Sequence, residues 1–240
     1  MSNHHVKLKR KEEVAEGTMA FYFERPAGFQ FKAGQFADFS LLNPPETDAE
    51  GNIRSFTIAS APQEEDLMFA TRMRDTAFKR VLKTMPLGTE IEMEGPSGSL
   101  VLHGDSSRPA VLLAGGIGIT PFRSMILGAS TSRHAHRLLL LYSNRRPEDA
   151  AFLQELEAFA TRNKNFTLIA TMTGMTKSKL KWSGRTGSID KQMLSESIPD
   201  LKNSICYLAG PPTMVSRIGQ TLAEAGVSKD SIRAEAFDGY

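Results

Sequence analysis

The sequence has one cysteine, Cys206, which excludes disulfides within the chain, cysteine-based zinc sites and cysteine-ligated iron–sulfur clusters. Charge of one sign is equally scarce. Against 29 Lys and Arg stand 27 Asp and Glu, and the net +2 is too small a surplus to make nucleic acid the main partner. No apolar run reaches membrane-spanning length, so no membrane span is expected. The start, Met1-Ser-Asn-His-His-Val-Lys-Leu-Lys-Arg-Lys, lacks the apolar centre of a signal peptide, and a cytoplasmic location is the expectation. His4, His5, His103, His134 and His136 have no companion ligand spacing, so they read as surface histidines with no metal. No internal repeat or low-complexity tract appears.

What is present suggests two units within 240 residues, a length that also suits one large domain. Segments 6–14, 18–24, 35–42, 54–60, 66–73 and 89–94 read as short strands separated by turn signals, which favours a small closed barrel. Thr76 to Met85, with Phe78, Val81, Leu82 and Met85 at helical spacing, is the one helix expected there. After residue 110 strands alternate with helices: strands at 111–114, 137–142, 166–172, 205–209 and 232–237, and helices from Pro121, from Pro147-Glu148-Asp149 and from Pro211-Pro212. Such alternation implies a parallel sheet with helices on both faces. The expected fold class is a six-stranded antiparallel barrel of Greek-key type, residues 1–105, followed by an α/β parallel-sheet domain, residues 110–240. The polar segment His103–Pro109 joins them.

Val111-Leu-Leu-Ala-Gly-Gly-Ile-Gly-Ile-Thr-Pro121 is the sharpest local signal. A buried strand breaks into Gly115, Gly116 and Gly118, which remove Cβ atoms where backbone N–H groups would approach a diphosphate. Pro121 suits a first helical turn, where a missing N–H costs nothing. By itself the loop also fits a structural turn with no ligand.

Five motifs in order resemble the ferredoxin–NADP⁺ reductase-like flavoprotein superfamily over nearly the whole chain. They are Arg54-Ser55-Phe56-Thr57, Gly95-Pro96-Ser97-Gly98, the loop 115–121, Ala209-Gly210-Pro211-Pro212, and the ending Glu235-Ala-Phe237-Asp-Gly-Tyr240. The resemblance implies the flavin-binding role for the barrel and the nicotinamide-binding role for the α/β half. Arg54 would pair with flavin phosphate oxygens, Phe56 would give the isoalloxazine ring a flat face, and the Thr57 hydroxyl would lie near flavin N5. Phe56 and Thr57 replace the superfamily's tyrosine and serine. Thr71, Arg72, Met73 and Arg74, then Thr76, Ala77 and Phe78, match a second flavin-contact region, although Thr76 to Lys79 departs from its usual Gly-x-x-Ser.

The same resemblance makes Gly115, Gly116, Gly118, Thr120 and Pro121 the nicotinamide dinucleotide loop, with Ser143, Asn144 and Arg145 at the adenosine ribose. Arg145 and Arg146 favour NADPH over NADH, while Thr173-Gly174 lacks an arginine that plant-type members carry; Lys177 and Lys179 are nearby in sequence. Ala209, Gly210 and Pro211 would border the nicotinamide, with Ala209 where many relatives have cysteine. Cys206 reads as a small buried strand residue. Glu235 would serve catalysis, Phe237 would shield the flavin's second face, and Tyr240 would extend beyond it. FAD rather than FMN, and NADPH or NADH as co-substrate, are the implied cofactors. Thr57, Glu235 and Phe237 are the implied catalytic residues of hydride transfer from nicotinamide to flavin. The implied partner is a one-electron carrier such as ferredoxin or flavodoxin. Alternatives are a quinone, free flavin or an oxygenase component as acceptor, or a non-catalytic nucleotide-binding subunit. The oligomeric state is open.

Overall fold

A computed structural model describes residues 2–129 and 136–237; His134 and Tyr240 lie outside them. The first half comprises β1 (Ser2–Ala15), β2 (Thr18–Phe23), β3 (Phe36–Ser40), β4 (Ile53–Thr57), β5 (Leu67–Arg72), α1 (Ala77–Thr84) and β6 (Glu90–Ser97). The strands form one antiparallel sheet in the order β4-β3-β6-β1-β2-β5. Its two edges meet where Ala59 N–H, just past β4, donates to the Met68 carbonyl of β5 at 2.7 Å. Residues two apart on a strand share a face, so Phe21 and Phe23 point inward together with Phe39 and Phe69, all essentially unexposed. Each such ring contributes roughly 1.5–3 kcal/mol by burial. Helix α1 closes one end of this aromatic core with Phe78, Val81 and Leu82.

The second half comprises β7 (Ala110–Gly115), α2 (Ile119–Ala129), β8 (Leu138–Asn144), α3 (Leu153–Arg162), β9 (Phe166–Met172), β10 (Arg185–Thr186), α4 (Lys191–Ser197), β11 (Ile205–Gly210), α5 (Pro212–Glu224) and β12 (Ile232–Ala236). All six strands are parallel, in the order β10-β9-β8-β7-β11-β12. Every residue of β7 and β11 is buried, as central parallel strands require. The chain order reverses direction at β7, which puts a binding crevice at the carboxyl ends of β7, β8 and β11.

Two local expectations are corrected and one helix is added. Helix α2 begins at Ile119 after a 3₁₀ turn at Gly116–Gly118, so Pro121 is its third residue, still within the turn whose N–H groups lack intrahelical partners. Pro147–Asp149 is a single 3₁₀ turn; α3 starts only at Leu153, after Phe152 turns the backbone to φ 60°. Helix α4, capped by Asp190 accepting from Met193 N–H at 2.8 Å, was not expected from sequence. It covers the sheet face of Val111 and Leu113 with Met193 and Leu194.

His103 is also corrected: it is buried. Its N–H and Nδ1 meet the Tyr207 hydroxyl at 2.8 and 2.9 Å, and Nε2 meets the Arg108 carbonyl at 3.1 Å, so the ring is satisfied inside the fold. Burial depresses its pKa, with the charges of Arg233 and Arg108 adding to the effect. A histidine disfavoured as a cation in the fold stabilises it fully above the unfolded pKa, about 6.5, and less as pH falls through the folded value. Urea unfolding should therefore show a loss of stability below about pH 6.5 that is smaller in His103→Gln; equal slopes would remove His103 from that role.

The halves are fastened through α2. Phe122, Met125 and Ile126 share a core with Met68, Ala70 and Leu100 of the barrel half. Arg123, almost fully buried, donates to Glu64 at 2.9 and 3.0 Å, to Glu155 at 2.6 and 2.7 Å, and to the Ala59 carbonyl at 2.8 Å.

Candidate functional site

Two cavities, of about 530 and 720 Å³, adjoin at the seam between the halves and share Arg72 and Arg74 as wall residues. The first is bounded by β4, the end of β5, the start of α1 and the end of β12. Strand β4 delivers Arg54, Ser55, Phe56 and Thr57 to its wall, and β5 delivers Thr71 and Arg72. Phe56 lies flat against Phe69, ring centroids 4.3 Å apart and 6° from parallel, so the core fixes the ring that lines the cavity. Opposite these, the second half contributes Ile117, Thr120, Glu235 and Phe237. Thr57, Glu235 and Phe237, 178 or more residues apart in sequence between the first and the others, thus reach one space.

Charge in this cavity is mostly positive. Arg54 is held by Glu50 at 2.7 Å and by the carbonyls of Glu50 and Ile53 at 2.8 and 2.7 Å. Lys79, the last residue of the second flavin-contact motif and given no role of its own there, also lines the wall and donates to the Arg72 carbonyl at 2.7 Å. Burial, with Arg74 and Arg54 beside it, lowers its pKa to about 8. Burial raises the pKa of Glu235, moving its carboxyl toward the range where it holds a proton.

The second cavity gathers Gly115 and Gly116 from β7 and its turn, Ser143, Asn144 and Arg145 from the end of β8, Pro211 beyond β11, and Met73 from the barrel half. Backbone bonds from Thr173 and Gly174 N–H to the carbonyls of Asn144 and Arg145, 2.9 and 2.8 Å, bring the ends of β8 and β9 together. Asn144 is 5% exposed, and neither its amide oxygen nor its amide nitrogen has a hydrogen-bond partner. A buried amide left unpaired costs about 1–3 kcal/mol, so this wall fits a polar ligand. Arg145 is exposed and its guanidinium has no hydrogen-bond or ion-pair partner among the described residues.

Other expectations change. Arg146 is not available to a ligand: Asp149 holds it at 2.7 and 3.0 Å, and Glu16 lies 3.3 Å away. Lys177 and Lys179 do not line the cavity. Their segment is pinned where Glu148 accepts from Ser178 Oγ and the N–H groups of Lys179 and Leu180. Ala77 and Phe78 line neither cavity; Phe78 is core, and Ala77 N–H donates to Asp48 at 2.8 Å. Gly118, Pro121, Ala209 and Gly210 are not wall residues either. Packing requires Gly118, since a Cβ there would sit 2.2 Å from the Ala209 carbonyl oxygen. Gly115 likewise faces Met214 and Pro211, whereas Gly116 has φ 51° and is the loop glycine that needs a left-handed backbone. Thr120 faces the first cavity, not the second.

A family model, the oxidoreductase NAD-binding domain, matches residues 112–220. Ferredoxin–NADP reductase B of Sorangium cellulosum is 28% identical, over 90% of this chain and 90% of its own length. A ferredoxin–NADP⁺ reductase from Neisseria gonorrhoeae, solved with bound FAD and NADP, superposes with a TM-score of 0.81 over 98% of each chain at 22% identity, which shows the shared fold. Residues 112–220 thus match an oxidoreductase NAD-binding domain, and the whole chain shares the fold of the Neisseria gonorrhoeae reductase. The glycine betaine monooxygenase reductase subunit of Chromohalobacter salexigens is 28% identical over 92% of this chain, which spans 60% of that relative's length. In this reductase-like fold the two cavities lie one against each half, with Arg72 and Arg74 at their junction.

Proposed function

We propose that this chain is a flavin-dependent NAD(P)H oxidoreductase with FAD in the first cavity, against a domain of residues 1–105, and NADPH in the second, against a domain of residues 110–240. The observation that carries this reading is the first cavity, which Thr57 from the barrel lines together with Thr120, Glu235 and Phe237 from the α/β half, and which meets the second at Arg72 and Arg74. The FAD and NADP named for the Neisseria gonorrhoeae structure support the pairing. A bound flavin would supply the redox chemistry, taking two electrons from the reduced nicotinamide and releasing them singly.

The chain's own residues position and screen. Arg54 offers a guanidinium to phosphate, and Phe56, braced by Phe69, offers an apolar plane to the ring. Phe237, whose N–H is tied to the Gly210 carbonyl at 3.0 Å, covers the cavity from the other side and excludes water. Glu235, half-buried and raised in pKa, is suited to hold and pass a proton at its carboxyl. Asn144 and Ser143 face the nucleotide, and Arg145 takes its ribose 2′-phosphate.

The acceptor in this proposal is a one-electron carrier such as ferredoxin or flavodoxin, in the cytoplasm. No helix among the described residues is long and apolar enough to cross a membrane. An oxygenase component is the second acceptor, favoured by the name of the Chromohalobacter relative.

Two results test the proposal. The purified chain should take up flavin, and heat release followed by chromatography should return FAD; a chain that takes up neither FAD nor FMN overturns the reading. Arg145→Ala should raise KM for NADPH about tenfold or more, the worth of a charge-assisted hydrogen bond, and leave KM for NADH within about twofold. Equal changes with both coenzymes would remove Arg145 from the 2′-phosphate.

A further inference from the structure

Lys79 lines the first cavity from the first turn of α1, and the functions assigned above do not use it. An ammonium group has three donors. One goes to the Arg72 carbonyl at 2.7 Å, and the other two have no partner among the described residues. The groups around it are Arg54 from β4, Arg72 through its carbonyl from β5, Arg74 and Thr76 before α1, and Glu50 before β4. Glu50 is already bonded to Arg54 at 2.7 Å. A half-buried cation with spare donors and cationic neighbours is costly until an anion completes it.

We propose that Lys79 grips the phosphate of the flavin in the first cavity, giving the phosphate-bearing flavins their advantage over riboflavin. The assignment rests on the flavin reading of that cavity. It also fixes a pH dependence. With no phosphate beside it, burial and then the charges of Arg74 and Arg54 bring the Lys79 ammonium down to about 8. The gripping form is the protonated one, so the FAD advantage is present below that value and is lost as pH rises through it.

The test is fluorescence titration of the full chain, stripped of bound flavin, with FAD, FMN and riboflavin. Lys79→Met should weaken FAD and FMN roughly 10- to 100-fold and leave riboflavin within about twofold. Lys79→Arg should keep the FAD advantage and make it flat with pH, since a guanidinium stays charged. If Lys79→Met weakens riboflavin as much as FAD, or weakens neither, the assignment is overturned. The wild-type profile needs no variant: an FAD-to-riboflavin affinity ratio unchanged from roughly pH 7 to roughly 9.5 overturns it as well. A wild-type chain that binds riboflavin and FAD equally overturns the Lys79 assignment and the phosphate role of Arg54 but leaves the cavity's flavin reading, whereas one that binds no flavin overturns that reading and this assignment with it.

Discussion

Arg123→Ala should lower the melting temperature by about 6–12 °C, the shift that about 3 kcal/mol produces in a chain of this size. Arg123 is 5% exposed and answers two carboxylates from opposite halves, Glu64 beside the barrel and Glu155 on α3, while also bonding the Ala59 carbonyl. Removing it leaves the Glu155 carboxylate and a buried carbonyl without this donor, and Glu64 with only the Ala61 N–H. The figure is kept at the low end of the range for a broken buried pair because each glutamate side chain is still more than a third open to solvent. Arg123→Lys should recover only part of the loss, since one ammonium cannot form two bidentate pairs. Thermal unfolding followed by circular dichroism checks this. A shift below about 2 °C would mean that apolar contact, not this pairing, fastens the halves.

Gly118→Ala should abolish most nucleotide binding while leaving flavin binding in place. An added Cβ would fall 2.2 Å from the Ala209 oxygen, 2.4 Å from its carbon and 2.6 Å from Gly210 N. All three are backbone atoms of β11 and its continuation, which cannot swing aside as a side chain can. The end of β11 must therefore shift against β7, and the wall built from Gly115, Gly116 and Pro211 shifts with it. The overpacking costs roughly 1–3 kcal/mol, and a tenfold or larger loss of NADP⁺ affinity should accompany it. Gly104→Ala is the control, because a Cβ there meets nothing within 4 Å. Wild-type nucleotide affinity in Gly118→Ala, measured by calorimetric titration, would contradict this account of the loop.

The two-sheet architecture was legible because its signals are periodic. The aromatic richness of β2 and the unbroken apolar run of β7 are strand signals, and the spacing of Phe78, Val81 and Leu82 is a helix signal. Helix α4 was not, since seven residues with two buried side chains carry too little period to read. Among site residues, Arg54 to Thr57 were legible as a motif on one strand. Their relation to Glu235 and Phe237 depends on the packing of the halves, which sequence spacing does not contain.

Partnering was the least legible property. Arg145 and Arg146 are identical and adjacent, yet only Arg146 is claimed by Asp149 and Glu16. His103 looked like a surface residue of a polar linker because Tyr207, 104 positions away, supplies the hydroxyl that lets it be buried. Lys79 gave a faint signal, a lysine on the opening turn of a helix beside a predicted phosphate site; its place on the cavity wall needed the fold. The loop glycines show the converse: the pattern marks a tight turn, and the packing of Gly118 against the Ala209 carbonyl gives one of them a reason that no local pattern contains.

Anaerobic titration of the flavin-loaded chain with NADPH tests the central claim most directly. The account predicts stoichiometric loss of the oxidised flavin absorbance, and a weaker response to NADH that Arg145→Ala brings level with NADPH. A chain that retains its flavin fully oxidised in the presence of excess NADPH and NADH would contradict it.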